Sequence, residues 1–187
     1  MSAERSLLAE VVRDAFHEAT DHLRLDVEMM PVDRWNESVF RYFFCRQIAV
    51  AHKEVSQFVE CGLIDLVLAL DSQRAFVEFK FYRLAPRFDP NDGTPRGYKG
   101  AAGPKNLGEF RSCVNQLHDR PVPAGTVKYV VLVYADDARN RRRKFSADYD
   151  EYRHPRADVA LQVVATAGPF EVGQGVVRAS LYRVGGA

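Results

Sequence analysis

The chain opens with apolar residues recurring at helical spacing: Leu7, Leu8, Val11, Val12 and Phe16 share one side of residues 4 to 23, with charges on the other. This pattern predicts an amphipathic helix. A second helix is expected to start after Pro31, with Asp33 as its N-cap, and to run to about residue 52. There the period changes. Residues 63 to 70 are almost continuously apolar, and residues 75 to 82 are apolar and aromatic around Glu78 and Lys80. The polar break Asp71, Ser72, Gln73, Arg74 has the length of a tight connection, so the two runs read as a β-hairpin in a largely buried sheet.

Pro86, Pro90, Pro95, Pro104 and several glycines mark residues 84 to 106 as loop, and a loop of that length inside a compact domain is more often functional or mobile than idle. Leu107, Phe110, Val114 and Leu117 then line one side of a third helix over residues 107 to 118. It leads into the strongest strand pattern in the chain, residues 127 to 135. Residues 145 to 153 could form a short helix, and β-like segments follow near 159 to 165 and 175 to 184. No internal repeat is present. The order of elements predicts one domain over residues 1 to 187, an α/β sandwich with a mixed sheet.

Composition narrows the function classes. A chain of 187 residues with 47% hydrophobic content can close a single core. Its 26 basic and 25 acidic side chains nearly cancel to +1, so any affinity for a polyanion must come from local patches. Cys45, Cys61 and Cys113 are odd in number and form no CxxC pair, which argues against a disulfide framework or a zinc ribbon and fits a reducing cytoplasm. Glu4, Arg5, Glu10, Arg13 and Asp14 interrupt the first apolar run too early for a signal peptide, and no stretch has the length of a membrane span. A cytoplasmic protein is expected.

The candidate chemistry lies in the hairpin. Asp65, Glu78 and Lys80 are ionisable groups inside segments otherwise apolar enough to be core strands, where an unpaired charge costs several kcal/mol. If the turn is centred between Ser72 and Gln73, Asp65 falls opposite Lys80 and Val67 opposite Glu78. Side chains alternate along a strand, so all three groups then share one face, close enough for carboxylates to converge on one cation.

An acidic residue on one strand followed by an acid-X-lysine triplet on the next resembles the signature of the PD-(D/E)XK phosphodiesterase superfamily. Asp65 matches the first acid, Glu78 the second and Lys80 the lysine, with Ile64 standing where the signature has proline. The helix, hairpin, helix, strand order over about residues 31 to 135 is also similar to the superfamily core. The resemblance implies a restriction-endonuclease-like sandwich, its mixed central sheet flanked by helices. It implies metal-dependent hydrolysis of nucleic acid, most readily by a DNA endonuclease. Asp65, Glu78 and the backbone carbonyl of Phe79 would hold Mg²⁺, with Mn²⁺ as a substitute, while Lys80 would orient the attacking water.

Two more positions enter through the same resemblance. Glu37 falls on the apolar stripe of Phe40, Phe44 and Ile48, and matches a glutamate on the superfamily's first core helix that in many members joins the metal site directly or through water. Gln116 borders the apolar side of the third helix, where related nucleases place a polar residue near the site. The Gln-x-x-x-Tyr pattern of one exonuclease-like branch is not completed, because Arg120 occupies its last position.

Plainer readings stand beside these. Asp65, Glu78 and Lys80 could form a structural ion-pair network, Glu37 could pair with Arg41 one turn on, and Gln116 could be a solvated helix edge. Arg139, Arg141, Arg142, Arg143 and Lys144 suit either a solvated turn or a grip on backbone phosphates, and Lys99 and Lys105 either a polar loop or a cover over nucleic acid. Phe40, Phe43 and Phe44 read as core. His17, Glu18 and His22 miss zinc-protease spacing, Pro104 interrupts the faint phosphate loop before Lys105, and no GxSxG elbow occurs. The chain shows no helix-turn-helix or finger, so cutting both strands of DNA would require a homodimer or a partner protein. The reading from another class is a non-catalytic, immunity-type module that keeps this fold to bind nucleic acid or protein.

Overall fold

Alternation along the central strands splits the core into two faces, and each face is closed by helices of matching polarity. The computed structural model describes residues 7–25, 35–82, 85–89, 91–99, 104–137, 152, 154–172 and 175–186. In chain order these form α1 (Leu7–Leu25), α2 (Glu37–Ala51), β1 (Ser56–Cys61), β2 (Ile64–Leu70), β3 (Gln73–Tyr82), β4 (Ala85–Phe88), β5 (Pro95–Lys99), α3 (Pro104–Asp119), β6 (Thr126–Asp137), β7 (Val159–Val172) and β8 (Gly175–Gly186).

Six strands make one mixed sheet in the order β1-β2-β3-β6-β8-β7, and β4 pairs with β5 apart from it. Among the described residues the only parallel neighbours are β3 and β6, because α3 carries the chain back across the sheet between them. On one face Leu66, Leu68, Val77 and Phe79 pack with Val11, Phe16, Phe40, Phe44 and Ile48 from α1 and α2. On the other, Val130, Leu132 and Tyr182 pack with Phe110, Val114 and Leu117 of α3. The mixed-sheet α/β class expected from element order is therefore present. Phe40 and Phe44 are core, as their spacing implies.

The structure corrects several boundaries. The second helix begins at Glu37, with Asn36 rather than Asp33 as its cap: the Asn36 side chain accepts from the Val39 N–H at 3.0 Å. The span from 84 to 106 is not loop throughout, since β4 and β5 pair within it. Strand β1 has no counterpart in the sequence reading. It forms an edge of the sheet with almost every residue exposed, so it lacks the alternation that betrays a half-buried strand. The expected helix near 145 to 153 and the basic run Arg139 to Lys144 fall outside the described residues, apart from residue 152.

Candidate active site

The site begins with a turn. Asp71 and Ser72 alone connect β2 to β3, and Asp71 adopts a left-handed backbone (φ 50°) of the kind that matches strand twist in two-residue hairpins. This shifts the register two residues from the expected one. Val67 faces Phe76, not Glu78, and the same register continued brings Asp65 opposite Glu78 rather than Lys80. A shift of two leaves every side chain on its original face, which is why the constellation survives the correction.

The regular β2–β3 pairs end at Leu66 and Val77. Beyond them the Asp65 side chain takes over: its Oδ2 accepts from the Phe79 N–H at 2.8 Å. The other oxygen, Oδ1, accepts from Arg41 Nη1 at 3.3 Å, and Arg41 Nη2 donates to Glu60 Oε1 at 2.8 Å. Glu60 reaches Arg41 from a left-handed backbone (φ 53°) within β1. For a residue other than glycine that conformation costs roughly 1–3 kcal/mol and persists only where the surroundings enforce it.

Glu78 lies close enough to Asp65 for each carboxyl to feel the other. Burial pushes the Glu78 carboxyl up to about 8, and the Asp65 charge beside it adds to the shift. Lys80 sits over the same ground. Its Nζ donates to the Phe79 carbonyl at 2.8 Å and lies 3.6 Å from Glu37 Oε2. Burial alone would lower its pKa, but the neighbouring acids Glu37, Asp65 and Glu78 leave it raised. Glu37 is itself shifted upward, first by burial, although Lys80 and Arg41 oppose the change.

Glu37 therefore points toward the cluster and pairs with Lys80. Arg41, its expected partner in the plainer reading, turns instead to Asp65 and Glu60. Gln116 lies on α3 and borders two clefts of about 490 and 570 Å³ that share Glu78, Cys113 and Gln116. Its helix is fastened at its C-terminal end. Lys128 Nζ donates to the carbonyls of His118 and Arg120 at 2.8 Å, while Arg156 grips Asp119 at 2.6 and 2.8 Å. Arg120, where the exonuclease-like pattern has tyrosine, donates to the Gly62 carbonyl at 2.7 Å. Cys113, pushed up to about 12 mainly by burial, is a neutral thiol in the cleft wall. Lys105 borders the first cleft and pairs with Glu109 at 3.8 Å. The Lys99 side chain lies outside the described residues.

Sequence reasoning missed Arg41 and Glu60. Arg41 lies one turn after Glu37, which suggested an intrahelical pair, and Glu60 sits in the strand that carried no pattern. Nothing local indicated that the two would meet at Asp65.

The donors suit a hard cation in kind: two carboxylates and the Phe79 carbonyl are all oxygen ligands. Among the described residues no three His, Cys, Asp or Glu side chains gather as a metal-binding group, and Glu37 is engaged by Lys80. A carboxyl that holds its proton to about pH 8 beside a second carboxylate is nonetheless one that a cation would ionise. Comparison of the chain with family models, with curated proteins and with solved structures finds no match.

Proposed function

We propose that this protein is a Mg²⁺-dependent nuclease of the PD-(D/E)XK type, with DNA as the first substrate to test and RNA as the second. The observation that carries the reading is the meeting of Asp65 and Glu78 on the open end of a hairpin, with the Lys80 ammonium beside them. The helix, hairpin, helix, strand order around them supports the restriction-endonuclease-like fold. Asp65, Glu78 and the Phe79 carbonyl would hold the cation, with Glu37 joining through water. When bound, it supplies polarisation of the scissile phosphate and a more acidic water. The chain's own residues do the rest. Phe79 N–H and Arg41 hold Asp65 in one orientation, Glu37 holds Lys80, and Lys80 orients the water and offsets negative charge growing on the phosphate.

Incubating the protein with labelled DNA and RNA panels in Mg²⁺ or Mn²⁺ tests this directly. Cleavage by the wild type that Asp65→Ala abolishes is the expected result; no cleavage of any panel member under either ion counts against it. One feature favours the non-catalytic reading: Arg41 and Lys80 already give Asp65 and Glu37 cationic partners. Thermal stabilisation by Mn²⁺, lost in Asp65→Ala, separates the two, because a closed ion-pair network has no use for the ion.

A further inference from the structure

The two flanks of the carboxylate pair are not alike, and neither is free. On the outer side of Asp65 stands Arg41, 3.3 Å from Oδ1, with only 12% of its side chain exposed. Its second nitrogen is anchored 2.8 Å from Glu60, which reaches it from a left-handed backbone position. The guanidinium is thus held between two carboxylates, and its burial keeps it beside Asp65. On the other side the Lys80 ammonium sits 3.6 Å from Glu37 and 2.8 Å from the Phe79 carbonyl.

Two-cation phosphodiesterase sites place their ions roughly 3.5–4 Å apart. A shared carboxylate must then offer oxygens on both sides. Here the outer oxygen of Asp65 faces a fixed positive charge, and so does the carboxylate of Glu37. A second divalent ion on either flank would stand within a few ångströms of a guanidinium or an ammonium, in a partly buried setting that screens the repulsion poorly.

Resting on the nuclease reading above, we infer that this site takes a single divalent cation, between Asp65 and Glu78. Arg41, held between Asp65 and Glu60, supplies a positive charge on one of the two flanks where a second ion would have to stand. Arg41 is a positioning residue: it touches Asp65, not the substrate.

The test counts ions without using activity. Mn²⁺ bound to the full chain is measured by the electron paramagnetic resonance of the free ion across a titration. The wild type is expected to saturate at one ion per chain, and Arg41→Gln, which removes the charge but keeps polar bulk, to admit a second, weaker one. Two ions on the wild type overturn the inference and leave the nuclease reading standing. One ion on both proteins overturns the role given to Arg41. No bound Mn²⁺ at millimolar concentration removes the metal site, and the nuclease reading falls with it. The wild-type count needs no variant, so the inference can be defeated even if Arg41→Gln does not fold.

Discussion

Lys80 is the residue at which structural and catalytic roles part most clearly. Its ammonium stands between Glu37 and the Phe79 carbonyl, beside two carboxylates. If it only balances charge, Lys80→Ala should lower stability and leave any hydrolysis nearly unchanged. If it orients the attacking water, Mn²⁺ affinity should hold or rise, because a competing positive charge is gone. Turnover should nevertheless fall by about two to three orders of magnitude, the usual loss for one deleted transition-state contact. On the same reading, Glu78→Ala should lose both affinity and rate, since it would remove a ligand. Mn²⁺ titration and single-turnover cleavage on the two variants distinguish these outcomes, and a Lys80→Ala protein that cuts at the wild-type rate defeats the mechanism.

At the scale of elements, the site depends on where α2 begins. Asn36 caps the helix and Glu37 is its first residue, so the cap fixes the position from which Glu37 reaches Lys80. A carboxylate in this first turn also suits the positive end of the helix dipole. Asn36→Ala is expected to cost about 0.5–2 kcal/mol, the range for losing an N-cap side chain. Urea unfolding should show this as a lower midpoint with an unchanged slope. Asn36→Asp keeps the capping oxygen and should restore most of the loss; equal destabilisation by both changes would mean that the cap is not what matters.

For the whole molecule, Glu78 links the site to global stability. Its carboxyl titrates near 8 in the folded protein against an ordinary value of 4.5, chiefly because it is buried. Between those limits the folded protein keeps a proton that the unfolded chain has released. The stabilisation is therefore complete below about 4.5 and is lost as pH climbs through about 8. Denaturant midpoints should fall across this window, and Glu78→Gln, which cannot ionise, should flatten the fall. Adding Mg²⁺ near pH 8 should raise the wild-type midpoint, because a cation favours the ionised carboxyl. A wild-type profile as flat as that of Glu78→Gln would show that the carboxyl is not held protonated.

The sequence alone determined the face shared by Asp65, Glu78 and Lys80. Parity along a strand survives any register error of two residues, so the wrong turn still grouped the right side chains. It also determined the three helices, each of which buries one face and repeats apolar residues at helical period, and the central strands, which are buried on both faces and so almost continuously apolar. The start of α2 was less legible, since aspartate and asparagine are both good capping residues and the local sequence offers one of each. Strand β1 was not legible at all: an exposed edge strand is held by backbone hydrogen bonds to β2, which any residue but proline can make in full. Only the tertiary structure decided that Arg41 would meet Asp65, 24 residues away, and that Glu60 would hold it there. Contacts between charges distant in sequence leave no periodic trace, because they depend on how helix and sheet dock rather than on any local pattern.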